Sequence, residues 1–196
     1  MEELKKERHP LKPFLPEKAT ILLLGSFPPP RAKWKMDFYY PNFQNDMWRI
    51  FGLAFFGDKD YFLTENKKTF DKERIIDFLT EKGIAVYDTA QEVIRHKGNA
   101  SDNFLEIVTP FDLQATLEKI PQCRSLVTTG EKATEMLRSL LPNGIKKPLI
   151  GSFENVPFNG KTYRFYRMPS SSRAYPKPLP EKAAVYGKLF RETGLL

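Results

Sequence analysis

The sequence predicts an α/β protein, a three-layer α/β/α sandwich with a mainly parallel central sheet. Two short aliphatic runs support this, Ile21-Leu22-Leu23-Leu24 and Ile84-Ala85-Val86-Tyr87. Each is bounded by turn residues and reads as a strand buried on both faces, the habit of strands in parallel sheets. Helical patterns alternate with such runs along the chain, as β-loop-α units require. The length of 196 residues, 41% of them hydrophobic, fits one domain with a real core. Residues 1–196 are therefore read as a single domain, with residues 1–19 as an N-terminal arm.

That arm is charged and interrupted by Pro10, Pro13 and Pro16, so it should lie over the surface. The first strand runs from Thr20 to Leu24. A helix is expected over Gln44 to Phe56, where Met47, Trp48, Ile50, Phe51, Ala54 and Phe55 form an inward stripe. A second helix spans Asp71 to Lys82 and stops at Gly83. Strand Ile84–Tyr87 follows, then a polar loop from Asp88 to Asp102 that contains the basic run Arg95-His96-Lys97 and then Gly98-Asn99. Such a run can meet a phosphate backbone, although short charge runs are commonly just solvated.

A short helix is expected over Phe111 to Ile120, and a third strand over Ser125 to Thr128. Thr129 should cap the helix Lys132 to Leu141. Two further strands, Pro148 to Glu154 and Lys161 to Met168, are joined across the turn signal Asn159-Gly160. A long Ser- and Pro-rich loop covers Pro169 to Pro180. Pro180-Glu181 starts a last helix that ends near Gly194.

The formal charge of +7 biases the chain toward polyanions, nucleic acid being the usual one, and is also an ordinary charge for solubility. No apolar run reaches the roughly 20 residues that cross a bilayer, and the charged start is not a signal peptide, so a cytoplasmic protein without a membrane partner is expected. The single cysteine, Cys123, excludes an intrachain disulfide and a Cys-ligated metal cluster, and reads as a packing residue. His9 and His96 both lie in charged contexts and read as solvated surface, which argues against a His-based triad or a metal site. No cofactor is expected.

The stretch from Ile21 to Gly52 is the most informative. Its strand leads into the turn Gly25-Ser26-Phe27-Pro28-Pro29-Pro30. A passage rich in flat rings and amides follows, Tyr39-Tyr40-Pro41-Asn42-Phe43-Gln44-Asn45, before Asp46-Met47-Trp48 opens the helix. In an open α/β sheet, a loop leaving the carboxyl end of a strand is where ligands bind. Rings stack on flat ligands and amides read hydrogen-bonding edges. The alternative is a Pro-rich connection whose rings plug the core.

Gly25-Ser26-Phe27-Pro28 with Tyr39-Tyr40 and Asn45-Asp46-Met47-Trp48 resembles the first motif of the uracil-DNA glycosylase superfamily, most closely its hypoxanthine (deoxyinosine) DNA glycosylase branch. Gly83 to Asp88 with Arg95 and Ser101-Asp102 resembles that branch's second strand and following loop. Met168-Pro169-Ser170-Ser171-Ser172 resembles its C-terminal Pro-Ser loop. The resemblance implies a uracil-DNA glycosylase-like fold and a monofunctional, metal-free enzyme. Such an enzyme flips a deaminated base (hypoxanthine, uracil or xanthine) out of DNA and hydrolyses its N-glycosidic bond. Asn45 then matches the water-positioning Asn of the branch, and Ser26 stands where the superfamily usually carries Asn or Asp. Pro29 and Pro41-Asn42-Phe43-Gln44 depart from the usual pattern.

The chemistry assigns roles on that basis. Phe27, Tyr39, Tyr40 and Phe43 are the candidate base-binding rings, and the backbone N–H groups of Ser26 and Phe27 can face a base oxygen. Asn45 and Ser26 are the candidate catalytic residues; Asn45 as a simple helix cap, and Asp46 as the carboxylate, remain the alternatives. Ser170, Ser171, Ser172 and Arg173 are the candidate DNA-binding residues, with hydroxyls and N–H groups on phosphates and Arg173 as clamp or wedge. The partner is DNA containing a damaged base, met by a monomer. The departures keep a second class open, a non-catalytic nucleic-acid or nucleotide-binding domain on the same fold.

Overall fold

The computed structural model of the protein describes residues 5–96 and 101–196. The strands are β1 (Lys6–Arg8), β2 (Ile21–Gly25), β3 (Ile84–Asp88), β4 (Ala90–Arg95), β5 (Leu105–Pro110), β6 (Ser125–Thr129), β7 (Ser152–Phe158) and β8 (Lys161–Met168). The α-helices are α1 (Met47–Phe56), α2 (Lys72–Lys82), α3 (Leu113–Glu118), α4 (Glu131–Leu140) and α5 (Leu179–Glu192).

Among the described residues, β3-β2-β6-β8-β7 form a five-stranded sheet. Its first four strands run parallel, and β7 adds antiparallel at the edge. The expected sandwich, a central sheet flanked by helices, is the observed one. All five residues of β2, β3 and β6 are buried, which is why β2 and β3 read as apolar runs, while β6 also buries the hydroxyls of Ser125, Thr128 and Thr129. Parallel order also puts the ends of β2, β3, β6 and β8 on one edge, and both long loops leave from there. The β7–β8 hairpin turns on Asn159 and Gly160, both at positive φ, as its sequence predicts.

Helix α1 is set by its apolar stripe. Trp48 and Phe51 are fully buried, each stabilising the fold by about 1.5–3 kcal/mol. The ring of Phe51 meets Phe190 of α5 at 5.0 Å, and Phe55 meets Phe78 of α2 at 4.8 Å. Asp71 caps α2 by accepting from the Arg74 N–H, and Gly83 closes it in the left-handed region.

The structure corrects three expectations and details the arm. The loop expected from Asp88 to Asp102 contains β4, which pairs with β5 and with β1 in a second sheet of order β1-β4-β5. Its charged, half-exposed residues hide the strand pattern. The arm over residues 5–19 is docked by backbone pairing: β1 pairs with β4, and Phe14 exchanges backbone hydrogen bonds with Val86 at the free edge of β3. Thr129 does not cap α4; Gly130 occupies that position, and the Thr129 hydroxyl turns inward to the Leu24 carbonyl. The strand expected at Pro148 begins at Ser152, after a turn at Gly151 that leaves Leu149 78% exposed. Lys97, Gly98 and Asn99 of the basic run lie outside the described residues.

Candidate active site at the carboxyl edge of the sheet

The Gly25-Ser26 turn is held by its neighbours. The Gly25 carbonyl accepts from Thr89 N at 2.8 Å and the Ser26 carbonyl from Ala90 N at 3.2 Å. A Cβ on Gly25 would collide with Asp88 Oδ1 and come within 3.3 Å of the Tyr40 hydroxyl, so only glycine fits here. Tyr40 itself stands at φ 51° and shares a 3.0 Å hydrogen bond with Thr129 Oγ1. Burial and the nearby Asp88 push the Tyr40 hydroxyl well above its usual titration range, so it stays protonated. Among the described residues, the backbone N–H groups of Ser26 and Phe27 donate to no backbone acceptor outside regular structure.

Two carboxylates flank the turn. Asp88, at the end of β3, is hydrogen-bonded to His9 Nε2 at 2.7 Å. Asp102 accepts from the Ser26 hydroxyl at 2.7 Å. Burial holds the Asp102 carboxyl above the ordinary carboxylate range and Asp88 adds to this, while the Ser26 hydrogen bond, Lys132 and Arg95 pull it back down. Beside it opens a cleft of about 590 Å³, walled by Asp102, Gly130, Lys132, Arg167, Met168 and Ser170 among others. That volume suits a flat, base-sized ligand with room to spare.

The Ser loop meets the start of α1 directly. Asn45 pairs with Ser172 in an antiparallel bridge, and Asp46 N donates to the Ser171 carbonyl at 2.9 Å. Asp46 is buried and carries the charges of this joint: Arg173 Nε donates to its Oδ1 at 3.0 Å, and Lys182 Nζ lies 3.7 Å from its Oδ2. Lys182 is 1% exposed and also donates to the Ser172 carbonyl at 2.8 Å. Burial lowers its pKa, partly offset by Asp46.

Asn45 Oδ1 accepts from Met47 N at 2.9 Å, a local turn at the head of α1. Of the expected rings, Tyr39 is buried with its hydroxyl donating to the Lys12 carbonyl, and Phe43 packs on Phe70 beneath the Arg49 guanidinium. Phe27 is buried in a separate cluster with Ala90, Val93 and Leu105. Of the expected site residues Ser170 lines the cleft, while Ser26 meets it only through its hydrogen bond to Asp102; Ser171 is buried, and Arg173 is half-exposed on Asp46.

One expectation is overturned. The His9 side chain is only 3% exposed, against Asp88 and the rings of Phe27, Tyr39 and Tyr87. The arm folds back along β4 and β3, and this carries His9 inward. The signal was present in Leu11, Phe14 and Leu15, whose spacing marks a segment packed on the core. His96, by contrast, is partly exposed beside Glu106. Cys123 is buried, and burial pushes its thiol up to about 12, which leaves it an inert packing residue. Among the described residues, no group of three or more His, Cys, Asp or Glu side chains is placed to hold a metal ion. Nor is any helix long and apolar enough to cross a membrane.

No family model and no curated protein sequence matches the chain. A solved structure does: the solution structure from Methanosarcina acetivorans described as a "putative Uracil DNA glycosylase". The two share a TM-score of 0.60 over 97% of this chain and 99% of that one, at 23% sequence identity. The likeness establishes a uracil-DNA glycosylase-like fold.

Proposed function

We propose that this protein is a DNA glycosylase that flips a deaminated base (hypoxanthine, uracil or xanthine) into the cleft and hydrolyses its N-glycosidic bond. The observation that carries the reading is the meeting of two loops at the carboxyl edge of the sheet. The turn after β2 supplies N–H donors that are unpaired among the described residues, and a carboxylate partner. The loop after β8 is joined to the head of α1 by the Asp46 N to Ser171 carbonyl hydrogen bond of 2.9 Å. A like fold over nearly the whole chain, in a structure described as a "putative Uracil DNA glycosylase", supports it.

In this reading the base enters edge-on to the Ser26 and Phe27 N–H groups, which stabilise the charge gathering on a departing base oxygen. Asn45 positions the attacking water, and Ser26 orients the site. Ser170, Ser171 and Ser172 place their N–H and hydroxyl groups along a phosphate backbone, and Arg173 exchanges Asp46 for a phosphate when DNA arrives. The chain works as a cytoplasmic monomer, without metal or cofactor, and with no membrane partner.

The second reading, a non-catalytic nucleic-acid-binding domain, is favoured by one observation: Asn45 Oδ1 is engaged by the Met47 N–H. Oligonucleotides bearing hypoxanthine, uracil or xanthine, incubated with the protein and then with alkali, separate the two. Strand breaks at the lesion mean glycosylase; shifted but unbroken duplex means a binding module.

A further inference from the structure

The turn after β2 carries a hydroxyl, Ser26 Oγ, and a serine hydroxyl is too weak an acid–base group to activate water unaided. Its partner is the informative residue. Asp102 is 76 positions away in sequence, yet its Oδ1 accepts from Ser26 Oγ at 2.7 Å, and the residue stands in the cleft wall beside Lys132 and Ser170. Among the described residues its Oδ2 accepts no hydrogen bond, so one oxygen is oriented and the other is left for a ligand.

The other acids at this edge are already engaged. Asp88 is buried and tied to His9. Asp46 is held by Arg173 and Lys182. Glu131 and Glu135, also in the cleft wall, are paired with Arg167 and Lys147. Asn45 lends its oxygen to the Met47 N–H.

We infer that Asp102 is the catalytic carboxylate of the cleft and that Ser26 is its positioning residue. The inference rests on the glycosylase reading and names the residue that reading leaves open. As the C1′–N bond breaks, its electron pair leaves with the base and positive charge gathers on the sugar. The Asp102 carboxylate stabilises that charge. It then takes one proton from water as the water oxygen bonds to C1′, and the proton passes on to the departed base, restoring the carboxylate. One water is consumed: its hydroxyl ends on the sugar and its proton on the base.

The charges around Asp102 suit this. Asp88 from β3 opposes its ionisation, as does burial, while Arg95 from β4, Lys132 from α4 and the Ser26 hydroxyl favour it. A carboxylate raised by burial is a stronger base and a stronger partner for a transient cation than one in water.

The test uses the full chain, Asp102→Asn and Ser26→Ala, and two duplexes. One duplex carries a cationic pyrrolidine in place of the sugar at the lesion; the other carries a neutral tetrahydrofuran. The parent should bind the cationic duplex at least about tenfold more tightly than the neutral one, a difference of about 1.4 kcal/mol. Asp102→Asn should bind both alike, melt no lower than the parent at neutral pH, and lose at least about 100-fold in single-turnover base release. Ser26→Ala should retain part of the preference.

If Asp102→Asn keeps both the charge preference and base release, the inference is overturned and the glycosylase reading stands. If the parent releases no base but shows the preference and Asp102→Asn loses it, the assignment of Asp102 stands and the choice of substrate bases fails. If the parent shows no preference for the cation, Asp102 is not the catalytic carboxylate.

Discussion

The two sides of the sheet's carboxyl edge treat charge in opposite ways. At the joint between the Ser loop and α1, the buried Asp46 is matched by Arg173 and by the buried Lys182. At the turn after β2, Asp88 and Asp102 are held by an imidazole and a hydroxyl, and the nearest cations are set back. Matched buried charges fix geometry, since breaking such a pair leaves an uncompensated ion. Under-matched carboxylates in a cleft cost stability and are kept where chemistry uses them. On the proposed function, the matched charges of the Ser-loop side hold the DNA-binding loop in place, and the under-matched carboxylates put the chemistry on the turn side.

The largest expected effect lies on the scaffold side. Asp46→Asn leaves Lys182 charged and buried without its counter-ion and should lower stability by about 3 kcal/mol, read from a urea midpoint. A loss below about 1 kcal/mol would make the joint a surface contact in energetic terms.

Asn45→Ala sits on the border between the two sides. As a water-positioning residue it should cost about 100-fold in single-turnover release; as a cap it should cost about 1 kcal/mol of stability with release nearly intact. Melting and turnover measured on the same sample tell these apart.

Asp102 gives the comparison a pH signature. Burial raises its carboxyl above the unfolded value, so the folded chain binds that proton more tightly. Its favourable contribution is present below the unfolded pKa and lost as pH rises through the folded one. The melting temperature of Asp102→Asn, taken relative to the parent, should therefore climb as pH rises through and above the ordinary carboxylate range. A flat difference would place Asp102 in an ordinary solvated setting.

Arg173→Ala should have the smallest effect on the free protein. Its side chain is 49% exposed, so the pair with Asp46 contributes no more than about 1 kcal/mol. On DNA, loss of one phosphate contact should lower the slope of log affinity against log salt by about one unit. An unchanged slope means that Arg173 stays on Asp46 when DNA binds.

How much of this was legible in the sequence follows the same division. The strands β2 and β3 are buried on both faces, so their apolar runs announce them. β4 and β5 are half-exposed strands of a small sheet, in which Gln91, Glu92 and Glu106 take solvent-facing places, and such strands look like polar loop. The turn at Gly25 and the Ser loop were visible as motifs. Their meeting depends on two strand ends sharing one edge, which parallel order supplies and local pattern only implies. His9 was misread because its neighbours in sequence are charged, while its neighbours in space are Asp88 and three rings. Asp102 was seen only as part of a loop, because its tie to Ser26 spans 76 positions.

The most direct test of the account is to look for the freed base. Protein in molar excess over duplex containing hypoxanthine, uracil or xanthine, with a chelator present, should release that base in one-to-one ratio with new abasic sites, read by mass spectrometry. Release that stops with chelator and returns with added divalent ion would contradict the metal-free mechanism. Duplex that is fully bound yet yields no free base from any of the three lesions would contradict the glycosylase itself.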